Sequence, residues 1–139
     1  MKTKHKFFLA KLIAKPFLLL RKLFGMSDSI RVNRKGINWF LDLKEGIDFS
    51  IFLLGSFEPS TISVYSKLIK QGNYIFDVGA NIGAHTLHFA KLIGEKGKVF
   101  SFEPTNYAYD KLIRNVELND DLSSRIFPNQ IMFISQKMS

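Results

Sequence analysis

The sequence predicts an α/β protein built on a doubly wound parallel sheet, and three observations carry that expectation. From Tyr74 onward, runs of strand length alternate with amphipathic runs of helix length, in the order strand, helix, strand, helix, strand. The first strand, "YIFDV" (74–78), is apolar except for Asp77, the pattern of a strand buried on both faces of a parallel sheet. It runs directly into a glycine-rich turn, "GANIG" (79–83), and then into a helix. Parallel strands joined by helices imply right-handed crossovers.

The chain has 139 residues, enough for one domain and short for two, and 46% of them are hydrophobic, as in a globular protein. There is no cysteine, which excludes disulfides, thiolate metal sites and a cysteine nucleophile and fits a reducing, cytoplasmic setting. The formal net charge is +8, but residues 1–25 alone hold seven Lys/Arg and no acid. Taking those seven from 20 leaves 13 basic against 12 acidic residues elsewhere. A nucleic-acid-binding domain would spread its charge over the fold, so nucleic acid is not an expected partner.

The basic arm, "MKTKHKFFLAKLIAKPFLLLRKLFG" (1–25), is amphipathic at helical spacing. Lys4, Lys11, Lys15 and Lys22 form a narrow stripe with Phe8 and Leu18 at its edges, while Phe7, Leu9, Leu12, Ile13, Leu20 and Phe24 lie elsewhere on the wheel. Lysines interrupt the apolar run, so a spanning helix and a signal peptide are not expected, and Pro16 should kink or divide any helix. Two readings stand side by side: weak contact with the inner face of a membrane, or a leader that is solvated or packed on its own domain.

Residues 26–72 form the approach to the domain. "IRVNRKGINWFLDL" reads as a hairpin turning at Asn33-Arg34-Lys35-Gly36. A further apolar run, "FSIFLLG", follows Lys44-Glu45-Gly46. "EPSTISVYSKLIKQG" reads as a helix capped by Ser60 or Thr61 and stopped at Gly72.

The domain proper is expected at 73–139. After "YIFDV", a helix over 82–93 should turn Phe89, Ala90, Leu92 and Ile93 inward and end at Gly94. "KVFSFE" is the second strand. A helix over 106–118 carries Ala108, Leu112 and Val116 at fourfold spacing, and "QIMFIS" (130–135) is the third strand.

In such sheets ligands bind beyond the carboxyl ends of the strands, where two acids fall: Asp77 and Glu103. Glu103 follows Gly83 by about 20 residues, the usual distance from a glycine turn to a ribose-binding acid. A dinucleotide would want Gly-x-Gly-x-x-Gly, yet Asn81 stands at the second glycine's place, where its side chain would crowd a diphosphate. A nucleoside without phosphates tolerates it. S-adenosylmethionine (SAM) is such a ligand, with its ribose on Glu103, its amino-acid part against Gly79–Gly83 and its ammonium oriented by Asp77. His85 and His88 lie one helical turn apart, but two histidines without a third ligand do not make a metal site, and their plainer reading is a helix surface.

"FDVGANIGAHTLHFAKLIGEKGKVFSFEP", followed by "YDKLIRNVELN", resembles the FkbM family of SAM-dependent methyltransferases over roughly residues 50–133. The upstream "GSFEP" (55–59) is similar to that family's Gly-x-aromatic-Glu approach. The resemblance implies a Rossmann-like methyltransferase sheet and SAM-binding positions at Asp77, Gly79, Ala80, Asn81, Gly83, Glu103 and Pro104, with Glu58 near the same cleft. It implies O-methylation of a hydroxyl on a sugar or secondary-metabolite-like acceptor. The family's sheet has seven strands and this chain reaches three, so the expectation is an N-terminal half that does not catalyse alone, with no candidate catalytic base. A non-catalytic nucleoside-binding remnant and a membrane-associated accessory protein are the alternatives.

Overall fold

The structure, a computed structural model, describes the backbone of residues 3–131 and the side chains from residue 12. The chain divides between Tyr65 and Ser66 into two compact units.

The first unit opens with helix α1 (Thr3–Leu23), which runs through Pro16 without dividing. Proline removes one N–H, but the carbonyl it frees belongs to Leu12, which is exposed to water. Strands β1 (Ser29–Arg34) and β2 (Ile37–Asp42) pair antiparallel, from Ser29 opposite Asp42 to Arg34 opposite Ile37. Their turn is tighter than the sequence suggested: only Lys35 and Gly36 intervene, both at positive φ (53° and 72°), as a two-residue hairpin requires. Asn33 Oδ1 accepts the Gly36 N–H at 3.2 Å and substitutes for part of the longer loop.

Ile37, Trp39 and Leu41 alternate inward from β2 and meet Phe49 and Ile51 of α2 (Gly46–Leu54). Thus "FSIFLLG" is mostly helix, and Gly55 ends it in a left-handed conformation with its N–H on the Ile51 carbonyl. Phe17 of α1 packs its ring 5.6 Å from Phe52 and 6.2 Å from Phe49. Helix α3 (Pro59–Leu68) starts at a proline rather than at a Ser60 or Thr61 cap. A first-turn N–H has no partner within the helix, so proline loses nothing there.

The second unit is a parallel sheet in the order β3 (Tyr74–Val78), β4 (Lys98–Phe102), β5 (Ile126–Asn129), with Tyr74 opposite Lys98 and Val99 opposite Ile126. Helix α4 (Thr86–Ile93) connects the first pair; α5 (Asn106–Glu117) and the single turn α6 (Asp120–Ser123) connect the second. Ala108, Leu112 and Val116 are buried as their spacing predicts. In α4 the buried positions are Thr86, Leu87, His88, Ala90 and Ile93; Phe89 and Leu92 are half-buried. The third strand is "IFPN", upstream of the expected "QIMFIS", of which Gln130 and Ile131 are irregular and the rest lies outside the described residues. Pro128 has no N–H to give a ladder, but β5 is at the edge of the described sheet, where a missing N–H is tolerated.

Strand β3 stands at the edge of the described sheet, and its two faces differ. Val99, Ser101 and Ile126 are buried, but Tyr74, Phe76 and Val78 of β3 are exposed, Phe76 by 67%. The apolar run therefore has one covered face and one open face rather than two covered ones. On the open face Phe76 stacks on Phe100 at 5.3 Å, and Phe100 on Phe127 at 5.3 Å. These rings shield one another in part from water.

Candidate functional site

The carboxyl ends of β3 and β4 are tied together by the turn that follows β3. The N–H groups of Gly79 and Ala80 both donate to the Phe102 carbonyl, at 2.9 and 3.0 Å. Gly79, Asn81 and Gly83 take positive φ (80°, 50° and 89°), so the chain doubles back before α4. Asparagine tolerates this conformation best among non-glycine residues, and its Oδ1 accepts the Ile82 N–H at 2.8 Å. The Ile82 carbonyl in turn accepts from Asn115 Nδ2 at 3.0 Å, a fully buried amide on α5.

Glu103 closes the circuit. One carboxylate oxygen accepts the Asn81 N–H at 2.9 Å; the other accepts the Thr105 N–H at 3.0 Å and the Thr105 hydroxyl at 2.6 Å. Glu103 is 5% exposed. Burial pushes its pKa up, but the bonds from Thr105 and Asn81 outweigh it and hold the carboxyl below its ordinary value. A carboxylate offers about four acceptor positions, so three inward bonds leave room for a ligand hydroxyl.

Asp77 is placed differently. It lies one residue from the end of β3, half-buried, and accepts the Thr86 hydroxyl from the first turn of α4. Burial raises its pKa above the ordinary value, against the opposing effects of the Thr86 bond and the nearby His85. A cation beside it would stabilise its ionised form.

The two outer glycines are not equivalent. A Cβ on Gly79 would meet nothing within 4 Å, so this backbone is open to an approaching ligand. A Cβ on Gly83 would lie 2.9 Å from Leu112 Cδ1, so this glycine lets α5 pack against the turn. Asn81 is half-buried and Ala80 buried, while Pro104, half-buried, follows Glu103 into the loop before α5. Gly79, Ala80, Asn81, Gly83 and Glu103 are thus brought together, with Asp77 and Pro104 adjoining in the chain. Glu58 belongs to the first unit, where its carboxylate accepts the Thr61 hydroxyl at 3.3 Å. His88 is buried rather than on a helix surface, and His85 is half-buried. Among the described residues no three His, Cys, Asp or Glu side chains cluster as metal ligands would.

Thr86, Thr105 and Asn115 escaped the sequence reading. Thr105 stands directly before α5, where a cap is expected, but its hydroxyl is taken by Glu103 and makes no cap bond. Asn115 was detectable as a polar residue beside the apolar stripe Ala108–Leu112–Val116. A cleft of about 420 Å³ lined by Gln71, Gly94, Glu95, Lys96 and Arg125 lies at the other end, since these residues precede the strands. Ligands of open parallel sheets sit at the carboxyl ends, so the turn and not this cleft is the candidate site.

No family profile matches the chain. Over 55 residues it is 44% identical to methyltransferase sdnD of Sordaria araneosa, a match that takes in 40% of this chain and 21% of that protein. Among solved structures it is similar to M. jannaschii TYW2 in complex with AdoMet, with a TM-score of 0.54 and 22% identity over 73% of this chain and 42% of that one. It is also similar to a SAM-dependent methyltransferase from Aquifex aeolicus, with a TM-score of 0.51 and 22% identity over 64% of this chain and 45% of that one. The chain spans about a fifth of the curated relative and less than half of either structure. The fold is the Rossmann-like α/β fold of SAM-dependent methyltransferases.

Proposed function

We propose that the chain carries the cofactor-binding half of a SAM-dependent methyltransferase of the FkbM type, acting on a hydroxyl of a sugar or secondary-metabolite-like acceptor. The observation that carries the reading is the buried Glu103 carboxylate at the end of β4, hydrogen-bonded to the backbone of the turn after β3 at Asn81. The match to methyltransferase sdnD supports the reaction class, and the resemblance of "FDVGANIG" and "FEP" supports the family.

When bound, SAM supplies an electrophilic methyl group on a sulfonium. The chain's own residues hold the rest of that molecule. Glu103 accepts a ribose hydroxyl at its remaining acceptor position and, ionised, makes it a charge-assisted bond. The open backbone at Gly79 admits the amino-acid part, and Asp77 faces its ammonium, directly or through water. Asn81 excludes a pyrophosphate from the same turn, which separates this site from a dinucleotide site.

Calorimetric titration tests the reading. Wild type should bind SAM and not NAD. Glu103→Gln should weaken SAM by about 10- to 100-fold, the loss expected when charged hydrogen bonds are replaced by neutral ones. A urea unfolding curve on the same variant separates loss of the ligand contact from loss of the turn. Equal SAM affinity in the folded variant would reject the assignment.

A further inference from the structure

We infer that α1 is an interfacial helix whose outward face docks on an anionic phospholipid surface. The structure separates two faces that the sequence alone leaves mixed. Phe17 packs against Phe49 and Phe52 of α2, and Arg21, nearly buried, donates through Nε and Nη2 to the Ser27 carbonyl at 3.2 and 2.6 Å. These contacts fix Phe17 and Arg21 on the inward side, so Arg21 is not available to a partner.

The opposite side carries Leu12, Ile13, Leu19, Leu20 and Leu23, exposed from 41% (Ile13) to 74% (Leu23). At 100° per residue these five positions span about 120° of the helix, a continuous apolar strip. Lys15 and Lys22 are both exposed and lie together on the border between the strip and the packed side. Phe24 and Met26, just past the helix, are exposed as well.

Charge decides the occupant. With six lysines besides the packed Arg21 and no acid in residues 1–25, the arm complements an anionic surface. Leucines facing one way with lysines along their border match the depth profile of a bilayer surface, where apolar groups enter the acyl boundary and lysines reach the phosphates. No helix among the described residues is long and apolar enough to cross a membrane, so the contact is one of lying on the surface.

The full chain is tested by co-sedimentation with vesicles of phosphatidylcholine containing about 30% phosphatidylglycerol, against pure phosphatidylcholine, at about 0.1 M salt. Wild type should pellet with the anionic vesicles and be released as salt rises. Lys15→Ala with Lys22→Ala should lower partitioning by about fivefold for each lysine removed. Leu19→Glu with Leu23→Glu should lower it by at least about tenfold while leaving the circular dichroism spectrum unchanged, because both side chains face solvent. Equal binding of the folded Leu→Glu variant, or equal binding to neutral and anionic vesicles, would overturn the inference. A chain that ignores vesicles but forms a dimer abolished by the same leucine changes would assign the face to a second copy instead.

Discussion

The ends of β3 and β4 lie side by side, each carries an acid, and the fold treats the two acids in opposite ways. At the end of β4, Glu103 receives three hydrogen bonds, from Asn81 and Thr105, and is held ionised. At the end of β3, Asp77 has the Thr86 hydroxyl and a buried setting that disfavours its charge. Glu103 thus ties the turn after β3 to the loop before α5. Ionised Asp77 costs the fold stability, and an acid in such a setting is a candidate for meeting a cationic group.

The largest break in this contrast should come from Glu103→Ala. It removes the acceptor for the Asn81 N–H and for two groups of Thr105, and an expected loss of about 2–4 kcal/mol follows from hydrogen bonds to a charged acceptor. Urea denaturation at neutral pH measures it. A loss below about 1 kcal/mol would mean that the Gly79 and Ala80 bonds to Phe102 hold the turn without Glu103. Its pH dependence has a definite sign. Glu103 has a depressed pKa in the fold, so its contribution is present above its ordinary pKa and is lost as pH falls through the depressed one.

The next effect separates packing from openness within the β3 turn. Gly83→Ala combines a left-handed backbone with a Cβ 2.9 Å from Leu112, and should cost about 2–3 kcal/mol. Gly79→Ala carries the same backbone penalty with open space around it, and should cost only about 1–2 kcal/mol. Paired thermal or urea melts check the order. The reverse order would place the tight packing at the wrong glycine. If SAM approaches Gly79, that variant should also lose more ligand affinity than its stability loss explains.

Much of this site was legible because its signals are local. "YIFDV", the glycine turn and the distance to Glu103 are read from one stretch of chain, and the resulting strands pair as expected. The inward stripe of α5 was legible for the same reason. The misses depend on context. Pro128 sits in β5 because that strand is at the sheet's described edge, which no window around "IFPN" reveals. Helix α2 hid because a short apolar run fits a strand or a buried helix equally well. The exposed face of β3 could not be read from hydrophobicity, since Tyr74, Phe76 and Val78 look the same in sequence whether covered or open. Thr86 and Thr105 hide because a threonine's partner lies across the fold.

The smallest effect is the most discriminating, because only its sign differs from what an ordinary hydrogen-bonded acid would give. Asp77→Asn keeps an oxygen that can accept the Thr86 hydroxyl and removes the charge. The Asp77 pKa is raised in the fold, so folding is favoured with Asp77 protonated. Its contribution is therefore fully present below the unfolded pKa and is lost as pH rises through the folded one, the opposite of Glu103. At pH 7, where burial disfavours the Asp77 charge, the variant should be as stable as wild type or more so, by at most about 1 kcal/mol, the usual scale of one hydrogen-bonded polar group. The difference should shrink as pH falls and the native Asp77 takes up its proton. Urea midpoints between about pH 4 and pH 8 read this directly. A variant that loses stability at pH 7 would show that the charge of Asp77 holds the turn as Glu103 does, and the contrast between the two strand ends would fail. A variant that keeps its stability but loses SAM affinity would locate the use of that charge in the ligand.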